Sequence, residues 1–365
     1  MKQIITAITI LQLLVFAVKG QTVLRVAETN EIIPHAHILN TDGQIVGITG
    51  LDGIISIFPD NADDVDSISF EHISYLPGKT TIKDLNNQVS FFLYPEIKEL
   101  PEISIFANKH YDFTVIKGYY RSYQLNEKTP VYYSDGIIEY YIPFNEKGKV
   151  KYGLHHNRSF KNDEYLNSEK NRSISLTMKT AGIFNYSHYW IPYLGSDYRV
   201  FTETGKDNLV HDMKNNIVGK VMMHPELNIT DVYIDCLAPD TIQTHSLFGY
   251  TSVINQHIFS QRLHTKDIMN ADIGCAESFK VLRQMDFKYK KDVHYTRIEC
   301  IDEFYVIEIY RISKKEIKKQ KLSSSYTLLP SSDTGNFEWL TNPQYNIPTL
   351  NHAIQKQLHQ ELVVF

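Results

Sequence analysis

Apolar positions along this chain come in short bursts rather than long runs. Early on they fall at Ile32-Ile33, Ala36 and Ile38, Ile45-Val46, Ile48, Ile54-Ile55 and Ile57-Phe58, with Asp42-Gly43 and Asp52-Gly53 between them. Asp-Gly dipeptides favour the positive dihedrals of tight hairpin turns. Strand bursts about ten residues apart, separated by such turns, predict a small antiparallel sandwich.

The later pattern predicts more sheet. Thr114 to Tyr120 and Val131 to Tyr133 read as strands, and Asp135-Gly136 reads as a third hairpin turn before Ile137 to Pro143. Asn145 to Lys170 is polar and predicts a loop or exposed edge. Ser173 to Lys179 alternates, and Ile217 to Met223, Asn228 to Cys236 and Leu247 to Phe259 are further strands. An internal helix is expected over Asp272 to Phe287, where Ala276, Phe279, Leu282 and Met285 follow a three-to-four spacing. Tyr295 to Ile301 and Phe304 to Ile312 form another expected strand pair, with the basic run Lys314 to Lys321 as a solvated turn or edge. A last amphipathic helix opens after Thr349, with Leu350, Ile354, Leu358 and Leu362 along one side to pack across a sheet.

At Glu31-Ile-Ile-Pro34, Gly47, Thr49 and Leu51-Asp-Gly53, then Ile68-Ser-Phe-Glu-His-Ile-Ser-Tyr75 and Leu93-Tyr-Pro95, the chain resembles the carboxypeptidase regulatory-like domain. The resemblance covers residues 22 to 105. It implies a seven-stranded sandwich of the immunoglobulin or transthyretin kind, common at the start of envelope proteins of Gram-negative bacteria. His35, Gly50 and Ser74 stand where that pattern has Gly, Asp and Gly. Pro101 interrupts the alternation after it. The expected fold is therefore mainly β: residues 21–106 an immunoglobulin-like β-sandwich, and residues 107–365 an α+β domain with a large antiparallel sheet and a C-terminal amphipathic helix.

Residues 1–20 carry Lys2, an apolar stretch from Ile4 to Val18 and Val18-Lys-Gly20 as a cleavage point, and read as a secretory signal. That makes the expected location the periplasm, outer membrane or cell surface. Cys236, Cys275 and Cys300 lie far apart; one disulfide is possible in an oxidising compartment, and burial as small hydrophobes is the simpler reading. A net charge of −5 and a pI near 6.3 speak against nucleic acid as a partner. An aromatic content of 12% with 24 Tyr suits strand-rich structure.

The family resemblance invites a search for zinc-peptidase ligands. Two imidazoles and a carboxylate would leave one zinc position for water, but no His is followed by Glu at the required spacing. His264 to Asp267 lacks supporting context. The acidic turn from Asp60 to Asp66 has Ala62 and Val65 where a calcium loop needs a ligand and Gly. His35 with His37, and His155 with His156, are pairs without a third ligand and read as exposed strand residues. No nucleophile elbow, phosphate loop, dinucleotide fingerprint or paired-cysteine motif occurs. The expectation is thus no catalytic residue, no metal and no cofactor.

One ligand platform is expected: Tyr189, Trp190, Tyr193 and Tyr198, rings able to stack on a sugar or peptide near Pro192 and Gly195. These features point to a non-catalytic exported adaptor or binding module whose partner is an envelope protein, peptide or glycan. Two alternatives are a periplasmic carrier or sensor holding an apolar ligand between a curved sheet and helices, and a component associated with an outer-membrane barrel.

Overall fold

The computed structural model describes residues 21–57, 67–96, 110–127, 129–144, 148–169, 198–202, 208–237, 243–247, 249–268, 271, 273–323, 332, 337–360 and 362–364. The chain is mainly β and divides into two compact units, Met1–Ile97 and Lys98–Phe365.

In the first unit the strands are β1 (Val23–Val26), β2 (His37–Asn40), β3 (Ile45–Thr49), β4 (Ile55–Ile57), β5 (Ser67–His72), β6 (Tyr75–Thr81) and β7 (Ser90–Leu93). Five form an antiparallel sheet in the order β4-β3-β2-β5-β6, while β1 and β7 pair in parallel. Leu24, Val26, Ile38, Val46, Ile68, Phe70, Tyr75 and Leu93 share one core. Gly43 and Gly53 take φ of 80° and 73°, the left-handed backbone their turns demand. His35 also sits there, at φ 56°, and both His35 and His37 are buried rather than exposed.

The second unit contains β8 (Phe113–Asn126), β9 (Thr129–Pro143), β10 (Lys151–Lys161), β11 (Tyr198–Thr202), β12 (Asn208–Asp212), β13 (Ile217–His224), β14 (Ile229–Asp235), β15 (Gln243–Leu247), β16 (Tyr250–Leu263), β17 (Ala276–Tyr289), β18 (Thr296–Ile312) and β19 (Val363–Val364). They build one 12-stranded sheet ordered β11-β12-β13-β14-β16-β17-β18-β8-β9-β10-β19, with β15 beside β16. Every pairing in it is antiparallel. The described helices are short, the longest being His352–Gln360, and none is long and apolar enough to cross a membrane.

Four local expectations change. Asp272 to Phe287 is not a helix: Ala276–Tyr289 is a strand between β16 and β18. Its first residues are buried on both faces, which erases strict alternation and lets a helical spacing arise by chance. Asp135-Gly136 is no turn but the middle of β9. Gly136 is there for close approach, since a Cβ would lie 2.1 Å from the His156 carbonyl oxygen. Tyr295 to Ile312 is one strand from Thr296 rather than a pair, and the polar stretch 145–170 contains β10 and a helix at Asp163–Glu169. The C-terminal helix lies within the predicted span, at His352–Gln360.

One face of the large sheet is an apolar core that includes Ile116, Ile138, Val221, Val232 and Ile234. On it Phe259, Phe279, Phe304 and Tyr140 follow one another, ring centroids 6.5, 5.2 and 5.4 Å apart. That face also holds an ion pair, Arg283 with Asp302 at 2.6 Å, while the opposite face carries a longer line of charges.

Candidate functional site

On this polar face the side chains of successive rows alternate in chemistry. Along β8 the inward positions are Val115, Lys117, Tyr119, Arg121 and Tyr123, so that every second residue changes class while keeping to one face. Register places like with like across the sheet. Val115 lies beside Tyr141 and Tyr310, and Lys117 beside Glu139 and Glu308. Tyr119 lies beside Ile137 and Tyr305, with His156 next to Ile137; Tyr123 lies beside Tyr133 and Ile301, with Phe160 next to Tyr133.

Between the last two rows runs a line of charges of alternating sign. Lys280, Glu303, Arg121, Asp135 and Arg158 stand directly opposite one another on β17, β18, β8, β9 and β10. Asp135 takes a bidentate fork from Arg158 at 2.6 and 2.7 Å and accepts the hydroxyls of Tyr119 and Tyr133 at 2.9 and 2.8 Å. Glu303 accepts from Lys280 at 2.9 Å and from the Arg121 guanidinium. Burial works against the Glu303 charge, yet Arg121 and Lys280 hold its carboxyl well below the ordinary carboxylate range. Burial likewise raises the Tyr119 and Tyr133 hydroxyls, with Asp135 adding to it, and both stay neutral donors. A similar bidentate pair, Asp231 with Arg262 at 2.8 and 2.9 Å, is buried farther along the same sheet.

The segment after β18 supplies an apolar group to each apolar row. Ile317 and Leu322 pack with Val115 and Tyr141. The Trp339 ring stacks on His156 at 5.6 Å and lies 6.5 Å from Tyr119. Ile354, Leu358 and Leu362 of the C-terminal segment meet Tyr123, Tyr133 and Phe160. Over the charged rows it places polar partners: Tyr345 near the Lys117 ammonium at 5.6 Å, and the carbonyls of Pro348 and Thr349, each 3.4 Å from Arg121 Nη1. The Tyr123 hydroxyl is also hydrogen-bonded to Gln357.

At the rim of this face a β-bulge between Leu154 and His156 changes the register of β10. It re-aims His155 toward Glu139, at 2.9 Å, while His156 lies under Trp339. Glu139 also accepts from Tyr141 at 2.5 Å and Tyr310 at 3.0 Å. Burial alone would raise its carboxyl; hydrogen bonds from His155 and Tyr141 keep it below the ordinary value. A carboxylate orienting a half-exposed imidazole is the arrangement of a general base. Among the described residues, though, no three His, Cys, Asp or Glu side chains gather as a metal site would require.

Of the expected platform, Tyr189, Trp190 and Tyr193 lie outside the described residues. Tyr198 opens β11, packs against the apolar core and is hydrogen-bonded to Cys236, whose thiol burial pushes up to about 12. All three cysteines are free. The acidic turn Asp60 to Asp66 also lies outside the described residues.

No family model matches the chain. No curated protein matches it either. Among solved structures, one titled "Lipid-protein interactions in lipovitellin" aligns with 61% of this chain and 27% of that chain, at 10% identity and a TM-score of 0.24. That likeness is too slight to place the chain in a fold family.

Proposed function

We propose that this chain is an exported envelope protein in which residues 21–106 are an immunoglobulin-like adaptor of the carboxypeptidase regulatory-like kind and residues 107–365 are a non-catalytic binding or scaffolding body. The observation that carries this reading is the state of the polar face. Its carboxylates, guanidiniums and ammonium are directed at one another across the strands, and the chain's own C-terminal segment is laid over them. Apart from His155 at the rim, which Glu139 orients, the charges of this face serve register and docking rather than an open site. A partner is then an envelope protein, a peptide or a glycan bound on another surface. The apolar-carrier reading needs room between the C-terminal helix and the sheet, and Ile354, Leu358, Tyr123 and Tyr133 already meet there.

The test combines location and chemistry in one strain. Cells making the full chain are fractionated, and the chain is captured with its bound components, alongside a His155→Ala form. The proposal expects the chain in the envelope fraction and the same components captured by both forms. A cytoplasmic location, or a turnover activity that His155→Ala abolishes, would overturn it.

A further inference from the structure

The long hairpins of β16, β17 and β18 end in a tip unlike the rest of the large unit. Residues Tyr250 to Gln256 and Asp286 to Tyr289 are only partly buried on either face, unlike the fully buried strand centres that follow and precede them. The Tyr250 ring stacks on Phe287 at 5.3 Å and lies tilted against Tyr289 at 4.8 Å. The Lys288 ammonium lies 4.5 Å from the Tyr295 ring, and the Lys290 ammonium 5.8 Å from the Tyr289 ring. At the apex Lys290, Lys291, Val293 and His294 face solvent, Val293 at 83% and Tyr295 at 41% exposure.

The apex is an ordered loop. Tyr289 N–H donates to Asp292 at 2.9 Å, Asp292 N–H returns to the Tyr289 carbonyl at 2.8 Å, and Lys290 N–H reaches the Gly249 carbonyl at 2.7 Å. Asp286 is paired with Arg297 at 2.9 Å, and Lys288, Lys290 and Lys291 outnumber Asp292, the apex carboxylate, so the tip is positive on a chain of net charge −5. Tyrosine rings beside lysine stems, with one bare aliphatic at the point, suit an interface that is apolar below and anionic above. Amphipathic rings and long-stemmed cations settle at that level of a bilayer.

We propose that this tip docks on a membrane surface of anionic phospholipid, Lys288, Lys290 and Lys291 meeting the phosphates while Val293 and Tyr295 enter the headgroup layer. The idea names a surface for the envelope reading, yet it is tested with purified protein and so can fail while export holds. The mature full-length chain is sedimented with vesicles of phosphatidylcholine alone and of equal parts phosphatidylcholine and phosphatidylglycerol. Binding to the anionic vesicles alone is expected, weakened by added salt, and lowered on the order of tenfold or more in Lys288→Glu/Lys290→Glu/Lys291→Glu, since each lysine near such a surface contributes about 1 kcal/mol. Val293→Asp, which leaves the lysines in place, lowers it as well, and both variants keep the wild-type melting transition. Equal binding to the two vesicle types, unchanged binding by the triple variant, or capture only by a soluble polyanion would each overturn the proposal.

Discussion

At the scale of single residues, His35 shows how a sequence departure becomes a physical property. It takes a left-handed backbone where the resembling family pattern has Gly, and burial lowers its imidazole from 6.5 to about 4. As pH falls below 6.5 the unfolded chain gains a proton that the folded chain refuses until about 4, so stability is lost across that window. The loss amounts to about 3 kcal/mol for a fully buried group. His35→Asn, which tolerates the same backbone, is expected to remove this slope. Urea unfolding of the first unit, read from amide protection in β2 and β5 at pH 7 and pH 5, checks it. Gly136 makes a second prediction at this scale: Gly136→Ala puts a methyl against the His156 carbonyl and costs about 3 kcal/mol or more, read as a lowered denaturant midpoint.

At the scale of elements, the charge line fixes strand register. A slip of one residue between β8 and β9 would take Arg121 away from Asp135 and turn Tyr119 and Tyr123 to the other face. Asp135→Asn leaves the partly buried Arg158 beside a neutral amide in a buried cluster and is expected to destabilise by about 3 kcal/mol. Replacing Asp135 and Arg158 together by apolar residues of similar volume should cost much less, and a double-mutant cycle followed by urea unfolding measures the difference. The C-terminal helix is held chiefly by packing, so Leu358→Ala is expected to cost about 2–5 kcal/mol.

This is also the scale at which the sequence stops being legible. Hairpin glycines at Gly43 and Gly53 and the four-residue spacing of Ile354, Leu358 and Leu362 are local signals, and the structure forms turns and a helix there. The central strand Ala276–Tyr289 misleads because burial on both faces removes the period of two. The charge line escapes a sequence reading for another reason. Val115, Lys117, Tyr119, Arg121 and Tyr123 show an alternation of apolar and charged classes on one strand, but its meaning lies in residues that pair from far away, such as Arg121 with Glu303. The His155–Glu139 contact depends on a bulge, which a single strand's sequence does not announce.

At the scale of the whole molecule, carboxyls held below their ordinary range set the acid limit. Glu303 and Asp231 are both depressed against the cost of burial, the first by Arg121 and Lys280, the second by Arg262 and His224. Their stabilisation is complete above the unfolded carboxylate range near pH ~4 and is lost as pH falls below it. The large unit is therefore expected to hold its melting temperature from neutral pH to about 5 apart from the histidine contribution, and to lose it steeply below about 4. His257, lowered by burial and by Arg283 to about 4, supplies that histidine contribution in this unit. Calorimetry at closely spaced pH values separates the two regimes.

The C-terminal segment closes part of the charged face and is expected to unfold with it as one unit. Hydrogen exchange of the full chain, compared with a Trp339→Ala/Leu358→Ala form, measures this directly. Amides of β8, β9 and β10 should open together with the helix His352–Gln360 in the wild type, and all should lose protection in the variant. A helix that exchanges freely while β8, β9 and β10 stay equally protected in both forms would contradict it.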